Sequence, residues 1–265
     1  MMDFQAVWTA TLAVGIVGLV VGILLSILGK VLAVESDERI DAVREVLPGN
    51  NCGGCGLAGC DACAKAIVEG TVPVTVCPVG GSECAEKIAE IMGVEAGHAE
   101  RKVAFVHCSG NCETAPVKAN YTGAQDCHAA AIMGGAGRSC EFGCYGLGSC
   151  VKACQFDAIH VFDGLANVDK EACTACGRCV EACPQKLISL EPADAIAEIV
   201  CSSHYKGKQV MEVCSAGCIA CGICARTCPV NAIEMVDNLP VVDQEKCVRC
   251  GVCISKCPRK VIHFQ

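Results

Sequence analysis

Cys218-Ile-Ala-Cys221-Gly-Ile-Cys224-Ala-Arg-Thr-Cys228-Pro229 is followed, after a short linker, by Cys247-Val-Arg-Cys250-Gly-Val-Cys253-Ile-Ser-Lys-Cys257-Pro258. Each run has the spacing that wraps a four-iron, four-sulfur cluster in thiolates. Three closely spaced cysteines converge on one cube. The fourth precedes a proline, which redirects the chain and sends that thiolate to the neighbouring cube. Cys218, Cys221, Cys224 and Cys257 are therefore expected to hold one cluster, and Cys228, Cys247, Cys250 and Cys253 the other. Structural zinc would pair two CxxC knuckles over a longer gap. The stretch reads as a bacterial-type two-cluster ferredoxin module.

The chain has 265 residues, 27 of them cysteine, and a formal net charge of −8. That length accommodates two or three small domains. An odd thiol count in metal-like runs, with no convincing cleavable leader, argues for iron over disulfides and for a reducing, cytoplasmic compartment. With 4% aromatic residues, the soluble part is expected to rest on its clusters more than on a large apolar core. The acidic balance argues against nucleic acid as a partner.

Residues 10–29 carry no charge, and Thr11 and Ser26 are their only hydroxyl residues. About 20 such residues suffice for one helical membrane crossing. A signal peptide would start with a basic segment, whereas Asp3 is the only charge ahead of this run. Lys30, Arg39 and Arg44 follow the span, which puts its C-terminal side in the cytoplasm. Gly15, Gly18, Gly22, Ser26 and Gly29 recur at spacings of four and seven. They place small residues on one face, where another membrane helix can approach closely; the plainer account is that glycine is common in such helices.

Glu35 to Val46 mixes charge with Ile40, Val43 and Leu47 at helical spacing, with Ser36 as a cap. Then come Leu47-Pro-Gly-Asn-Asn-Cys52-Gly-Gly-Cys55-Gly-Leu-Ala-Gly-Cys60 and, further on, Cys77-Pro78. This is not ferredoxin spacing, yet it offers four thiolates from glycine-rich turns whose amides can approach sulfur. Cys52, Cys55, Cys60 and Cys77 are expected to bind one further cluster. Cys63 and Cys84 sit in helix-like stretches and read as small buried hydrophobes. Residues 93–100 read as a linker.

The remainder repeats itself. Cys154 and Cys228 lie 74 positions apart, and the same offset carries Cys173, Cys176, Cys179 and Cys183 onto Cys247, Cys250, Cys253 and Cys257. It also carries Cys144 onto Cys218, Cys150 onto Cys224, Cys140 onto Cys214 and Cys127 onto Cys201. Asp163-Gly164 and Asp237-Asn238 interrupt apolar stretches and predict hairpins. Residues 140–188 thus read as a second two-cluster module. Cys154, Cys173, Cys176 and Cys179 fit one cluster; Cys144, Cys150 and Cys183 fit the other but lack a partner, because Leu147 stands where the copy has Cys221. Cys140 is the nearest candidate for the fourth thiolate. Cys108, Cys112 and Cys127, with Cys201 or Cys214, form a candidate sixth set; spare thiols are the duller account. The six histidines are scattered and read as surface or packing residues.

The order of these parts resembles the Rnf complex family, in its B component. The resemblance rests on a glycine-rich anchor, the Leu47-Pro-Gly…Cys52-Gly…Cys55…Cys60…Cys77-Pro domain, Cys140-Glu-Phe-Gly-Cys144-Tyr-Gly-Leu-Gly-Ser-Cys150, and the ferredoxin runs. It covers nearly the whole chain, and its most specific part is the N-terminal cysteine domain. It implies a membrane complex that moves electrons between reduced ferredoxin and NAD, coupled to sodium or proton transport. This component would accept electrons from soluble ferredoxin and pass them to integral membrane subunits. The chain has no strand–GxGxxG–helix unit to hold NAD or flavin. A row of cysteine-ligated clusters is a wire of low potential. The rival readings are the electron-accepting subunit of another membrane reductase or hydrogenase, and a non-catalytic cluster carrier or redox sensor. The expected architecture is α+β: an anchor helix (1–30), a small four-iron domain (36–93), a first ferredoxin-like module with a cysteine-containing lead-in (101–190), and a second module (191–265). It would hold at least five clusters in a single-pass plasma-membrane protein whose cluster domains face the cytoplasm.

Overall fold

The computed structural model describes residues 4–31, 37–97, 100–194 and 197–264. Helix α1 (Phe4–Val31) contains the span Thr11–Leu28, which is long and apolar enough to cross a membrane. Its large side chains are exposed, Val14 by 73% and Leu19 by 65%. Nothing among the described residues covers them, as expected of a helix whose solvent is lipid.

Helices α2 (Glu38–Val46), α3 (Cys60–Val68) and α4 (Gly81–Met92) build the next unit. Asp37 caps α2, its side chain accepting from the Arg39 N–H at 3.0 Å; Ser36 lies outside the described residues. Gly93 ends α4 in the left-handed conformation, where glycine has no Cβ to clash. Val43, Leu47, Cys63, Ile67, Cys84 and Ile88 meet between the helices. Burying a side chain such as Ile67 or Ile88 contributes roughly 2 kcal/mol. Cys63 and Cys84 are thus core residues, 1% and 6% exposed. The expected linker begins after α4, with residues 98 and 99 outside the described ones.

The rest of the chain is a set of short strands and short helices. Strand β1 (Lys102–Val106) pairs antiparallel with β4 (Ile188–Pro192), Val106 opposite Ile188. β2 (Ile159–Phe162) and β3 (Leu165–Val168) form a hairpin. Its corner, Asp163-Gly164, has positive φ at both residues, the conformation such two-residue turns require. β6 (Ile233–Val236) and β7 (Leu239–Val242) form the matching hairpin across Asp237-Asn238. β5 (Glu198–Ile199) pairs with β8 (Ile262–His263), Ile199 opposite Ile262. Helices α5 (Cys127–Ile132), α6 (Ser149–Ala153), α7 (Arg178–Glu181), α8 (Gly207–Val213), α9 (Ile223–Thr227) and α10 (Val252–Lys256) fill the intervals.

The 74-residue offset maps α6 onto α9, β2 onto β6, β3 onto β7 and the start of β4 onto that of β8. Each repeat has its own small core. Ala104, Cys150, Ile159, Ala166, Cys179 and Ile188 pack in the first; Ile199, Cys218, Cys224, Ile233, Cys253 and Ile262 are among those in the second. Cysteines make up much of both cores.

Candidate iron–sulfur centres

The cysteine loops have a common backbone. In the complete runs, the residue before the second cysteine lies in the left-handed region: Ala175 at φ 55°, Ala220 at 54° and Arg249 at 55°. The residue after that cysteine is a left-handed glycine that opens the following helix: Gly177, Gly222 and Gly251. Two left-handed steps curl the loop so that successive amides and thiols face inward. The loop from Cys144 to Cys150 keeps this path, with Gly146 at φ 72° and Gly148 at 75°, although Leu147 has replaced the central thiol.

Cys218, Cys221, Cys224 and Cys257 line one apolar cavity. Cys154, Cys173, Cys176 and Cys179 line another. Cys253 lies near Cys247 and Cys250. Cys228 packs against the same core as Cys253, its Sγ accepting from the Ala232 N–H at 3.2 Å as Cys154 Sγ accepts from Ala158 at 3.4 Å. In the N-terminal unit, Cys77 lies near Cys55 and Cys60 and its sulfur accepts from the amides of Val79 and Gly80. Asn51 holds the Cys60 amide, Oδ1 accepting at 2.8 Å. Cys52 meets the first repeat: its carbonyl accepts from Arg178 Nε at 3.2 Å, and its thiol lies near Cys176. Gly54 sits so close to Cys176 that a Cβ there would meet the carbonyl oxygen at 2.9 Å.

Three expectations are corrected. Cys140 does not join Cys144, Cys150 and Cys183. The cavity those three line is completed by Cys127, at the first turn of α5. The Cys127 N–H donates to Ser149 Oγ at 2.8 Å, and Ser149 Oγ donates to Asp126 at 2.9 Å. Asp126 also caps α5, accepting from the His128 and Ala129 amides. Those donors hold its carboxyl below the usual range. The helix carrying Cys127 is thereby tied to the residue beside Cys150. Cys127 therefore does not belong to the expected sixth set. Nor does Cys112, which is exposed, with Sγ 3.8 Å from Arg138 Nη1.

Cys140 instead shares a cavity with Cys108, Cys201 and Cys214, at the seam between the repeats. That seam has an approximate two-fold character. Val106 faces Ile188 as Ile199 faces Ile262, so Cys108 corresponds to Cys201, not Cys127. The Gly110 N–H donates to Cys108 Sγ at 3.4 Å and the Ser203 N–H to Cys201 Sγ at 3.5 Å. Ser109 Oγ donates to the Val200 carbonyl at 3.1 Å, and Ser202 Oγ to the His107 carbonyl at 2.9 Å. The Cys144 amide donates to Cys108 Sγ, and the Cys218 amide to Cys201 Sγ at 3.3 Å. Each repeat contributes one strand thiol and one loop thiol, Cys108 with Cys140 and Cys201 with Cys214. A local signal was present: Val106-His-Cys108-Ser109 and Ile199-Val-Cys201-Ser202 share the order apolar residue, spacer, Cys, Ser.

The donor sets fit iron–sulfur chemistry. Burial pushes the thiols of Cys150 and Cys179 up to about 12, and those of Cys140 and Cys218 to about 11. Desolvation alone would keep these sites as neutral thiols. The inward amides favour anionic sulfur, and cationic iron compensates four thiolates gathered in one cavity. Cys84 has another partner, its Sγ donating to the Val46 carbonyl at 3.6 Å.

Residues 47–79 match the family described as "Putative Fe-S cluster", and residues 172–232 and 217–261 match "4Fe-4S dicluster domain". Three relatives are each the B component of a membrane redox complex. Over 233 residues the chain is 50% identical to that of the Na(+)-translocating ferredoxin:NAD(+) oxidoreductase complex of Acetobacterium woodii, covering 88% of this chain and 70% of that protein. It is 43% identical over 230 residues to that of the ion-translocating oxidoreductase complex of Methanosarcina acetivorans, covering 86% and 87%. It is 41% identical over 231 residues to that of the proton-translocating ferredoxin:NAD(+) oxidoreductase complex of Clostridium ljungdahlii, covering 86% and 81%.

Proposed function

The chain belongs to the B-component family of ion-translocating ferredoxin:NAD(+) oxidoreductase (Rnf) complexes, and from that premise we propose the route by which electrons cross it. It is an electron-transfer iron–sulfur subunit carrying four-iron clusters. Bound clusters supply reversible one-electron transfer without bond chemistry. The residues order them into a line of six. The sets run from Cys52, Cys55, Cys60 and Cys77, through Cys154, Cys173, Cys176 and Cys179, to Cys127, Cys144, Cys150 and Cys183. The seam set of Cys108, Cys140, Cys201 and Cys214 follows. Then come Cys218, Cys221, Cys224 and Cys257, and finally Cys228, Cys247, Cys250 and Cys253. Six sets of four leave Cys63, Cys84 and Cys112 of the 27 cysteines as thiols.

The observation that carries this order is the pair of amide links at the seam. Cys144 and Cys218, first thiols of the outer loops, donate their own N–H groups to Cys108 and Cys201. The seam set thereby joins two ferredoxin-type modules that would otherwise be separate. At the other contacts, Cys52 lies near Cys176, and Cys150 near Cys179.

The two ends differ in charge. Around the last set, Lys246, Arg249, Lys256 and Lys260 are exposed beside exposed Cys250. That basic tip suits an acidic soluble ferredoxin as donor, since complementary charge speeds docking. The Cys52 end follows α1 in the chain and lies on the membrane side, where electrons leave for integral subunits. The cluster domains face the cytoplasm, and NAD binds to another subunit. The test is Cys108→Ser combined with Cys201→Ser in the intact complex. Iron should fall by roughly four per chain from roughly 24, and stopped-flow traces should show the second repeat reduced by ferredoxin while the first stays oxidised. Unchanged iron and reduction of both repeats at the original rate would refute the route.

A further inference from the structure

We propose that His107, Glu191 and Glu198 hold a divalent transition-metal cation of borderline softness, Zn2+ or Mn2+ in class, at the seam between the repeats. His107 follows β1, Glu191 is on β4 and Glu198 on β5. One donor atom from each lies within 4.8 Å of the other two. Glu198 is 4% exposed, and its Oε1 has no hydrogen-bond partner. A carboxylate oxygen left bare in the interior is costly, and this one belongs to a residue grouped with a second carboxylate and an imidazole.

Proton counting sharpens the point. His107 Nδ1 lies 3.0 Å from the Ile199 carbonyl, which can only accept, so Nδ1 carries a hydrogen. In the neutral ring that leaves the Nε2 lone pair 2.6 Å from Ser189 Oγ, with the Glu191 carboxylate 2.7 Å beyond the same hydroxyl. Nε2, Glu191 Oε1 and Glu198 Oε1 are three acceptors, and Ser189 has one proton to share. A cation satisfies all three at once. An imidazole whose far nitrogen donates to a backbone carbonyl is held in the tautomer that ligates metal. One nitrogen with two carboxylates suits zinc, manganese or iron(II) better than calcium or magnesium. His107 and Glu191 are partly exposed, 25% and 27% at the side chain, so water can complete the coordination. The bound ion would pin together the strands that deliver Cys108 and Cys201.

The probe is Mn2+, titrated anaerobically into the intact chain with its clusters oxidised and therefore EPR-silent. Free Mn2+ is read from its six-line signal. The wild type should take up one tightly held Mn2+, displaced by Zn2+, which lies higher in the affinity order. Losing an outer partner of a metal ligand costs about tenfold in affinity, so Glu198→Gln and Glu191→Gln should each weaken uptake by at least that factor. Iron content should stay at the wild-type value in both variants, showing that the fold and clusters persist. Absence of a tight Mn2+ site in the wild type, or uptake unchanged in both variants, would overturn the proposal and leave a proton on His107 as what satisfies the group.

Discussion

The loop Cys218–Cys224 of the second repeat and the loop Cys144–Cys150 of the first follow the same backbone path yet differ in what they offer iron. The second presents Cys221 between its outer thiols; the first presents Leu147, and Cys127 comes from α5 to line the cavity instead. The path depends on left-handed residues, Ala220 and Gly222 in one and Gly146 and Gly148 in the other, and not on the thiol between them. A ligand can therefore leave a loop without the loop changing shape, provided another segment is held at the vacated corner. Here the Ser149–Asp126 pair does the holding. Ile223 stands at the matching position of the second repeat, where the loop carries its own donor.

The largest break in that comparison comes from removing Cys127 and Cys140 together. If they serve different sets, each single serine variant loses roughly four irons and the double variant roughly eight. If they complete one shared set, the double variant loses no more than a single one. Iron analysis with EPR of the reduced protein separates these outcomes. A smaller change runs the other way. Leu147→Cys placed in Cys127→Ser should recover roughly four irons, because the loop already has the geometry of its copy. Failure of the rescue would show that the Leu147 corner differs from the Cys221 corner. Smallest is Ser149→Ala, which strands the Cys127 amide and should cost about 1 kcal/mol in the stability of the first repeat, read from its denaturant midpoint. Ile223→Ala has no such amide to strand, so its cost should be that of lost packing alone.

Much of the candidate site was legible because runs such as Cys247–Cys257 are local. Within so few residues the loop alone decides which thiols converge. The 74-residue offset located both hairpins and the paired helices for the same reason. It misled for the flanking thiols. Cys127 and Cys201 share the offset, yet one sits in α5 and the other follows β5. Cys108 and Cys201, the true counterparts, are 93 positions apart, since the segment between β1 and Cys140 is longer than that between β5 and Cys214.

By itself, the amino-acid sequence determined the apolar helix, the cysteine-rich character, the repeat and every set whose donors lie in a complete run. Tertiary structure alone decided the destinations of Cys127, Cys140, Cys201 and Cys214. Those thiols are delivered by strand pairing, Val106 to Ile188 and Ile199 to Ile262, and by the docking of α5 against Ser149. Spacing along the chain constrains neighbours within a few residues. Which distant segments meet depends on how the two repeats pack, and no single offset can register two repeats whose intervening segments differ in length.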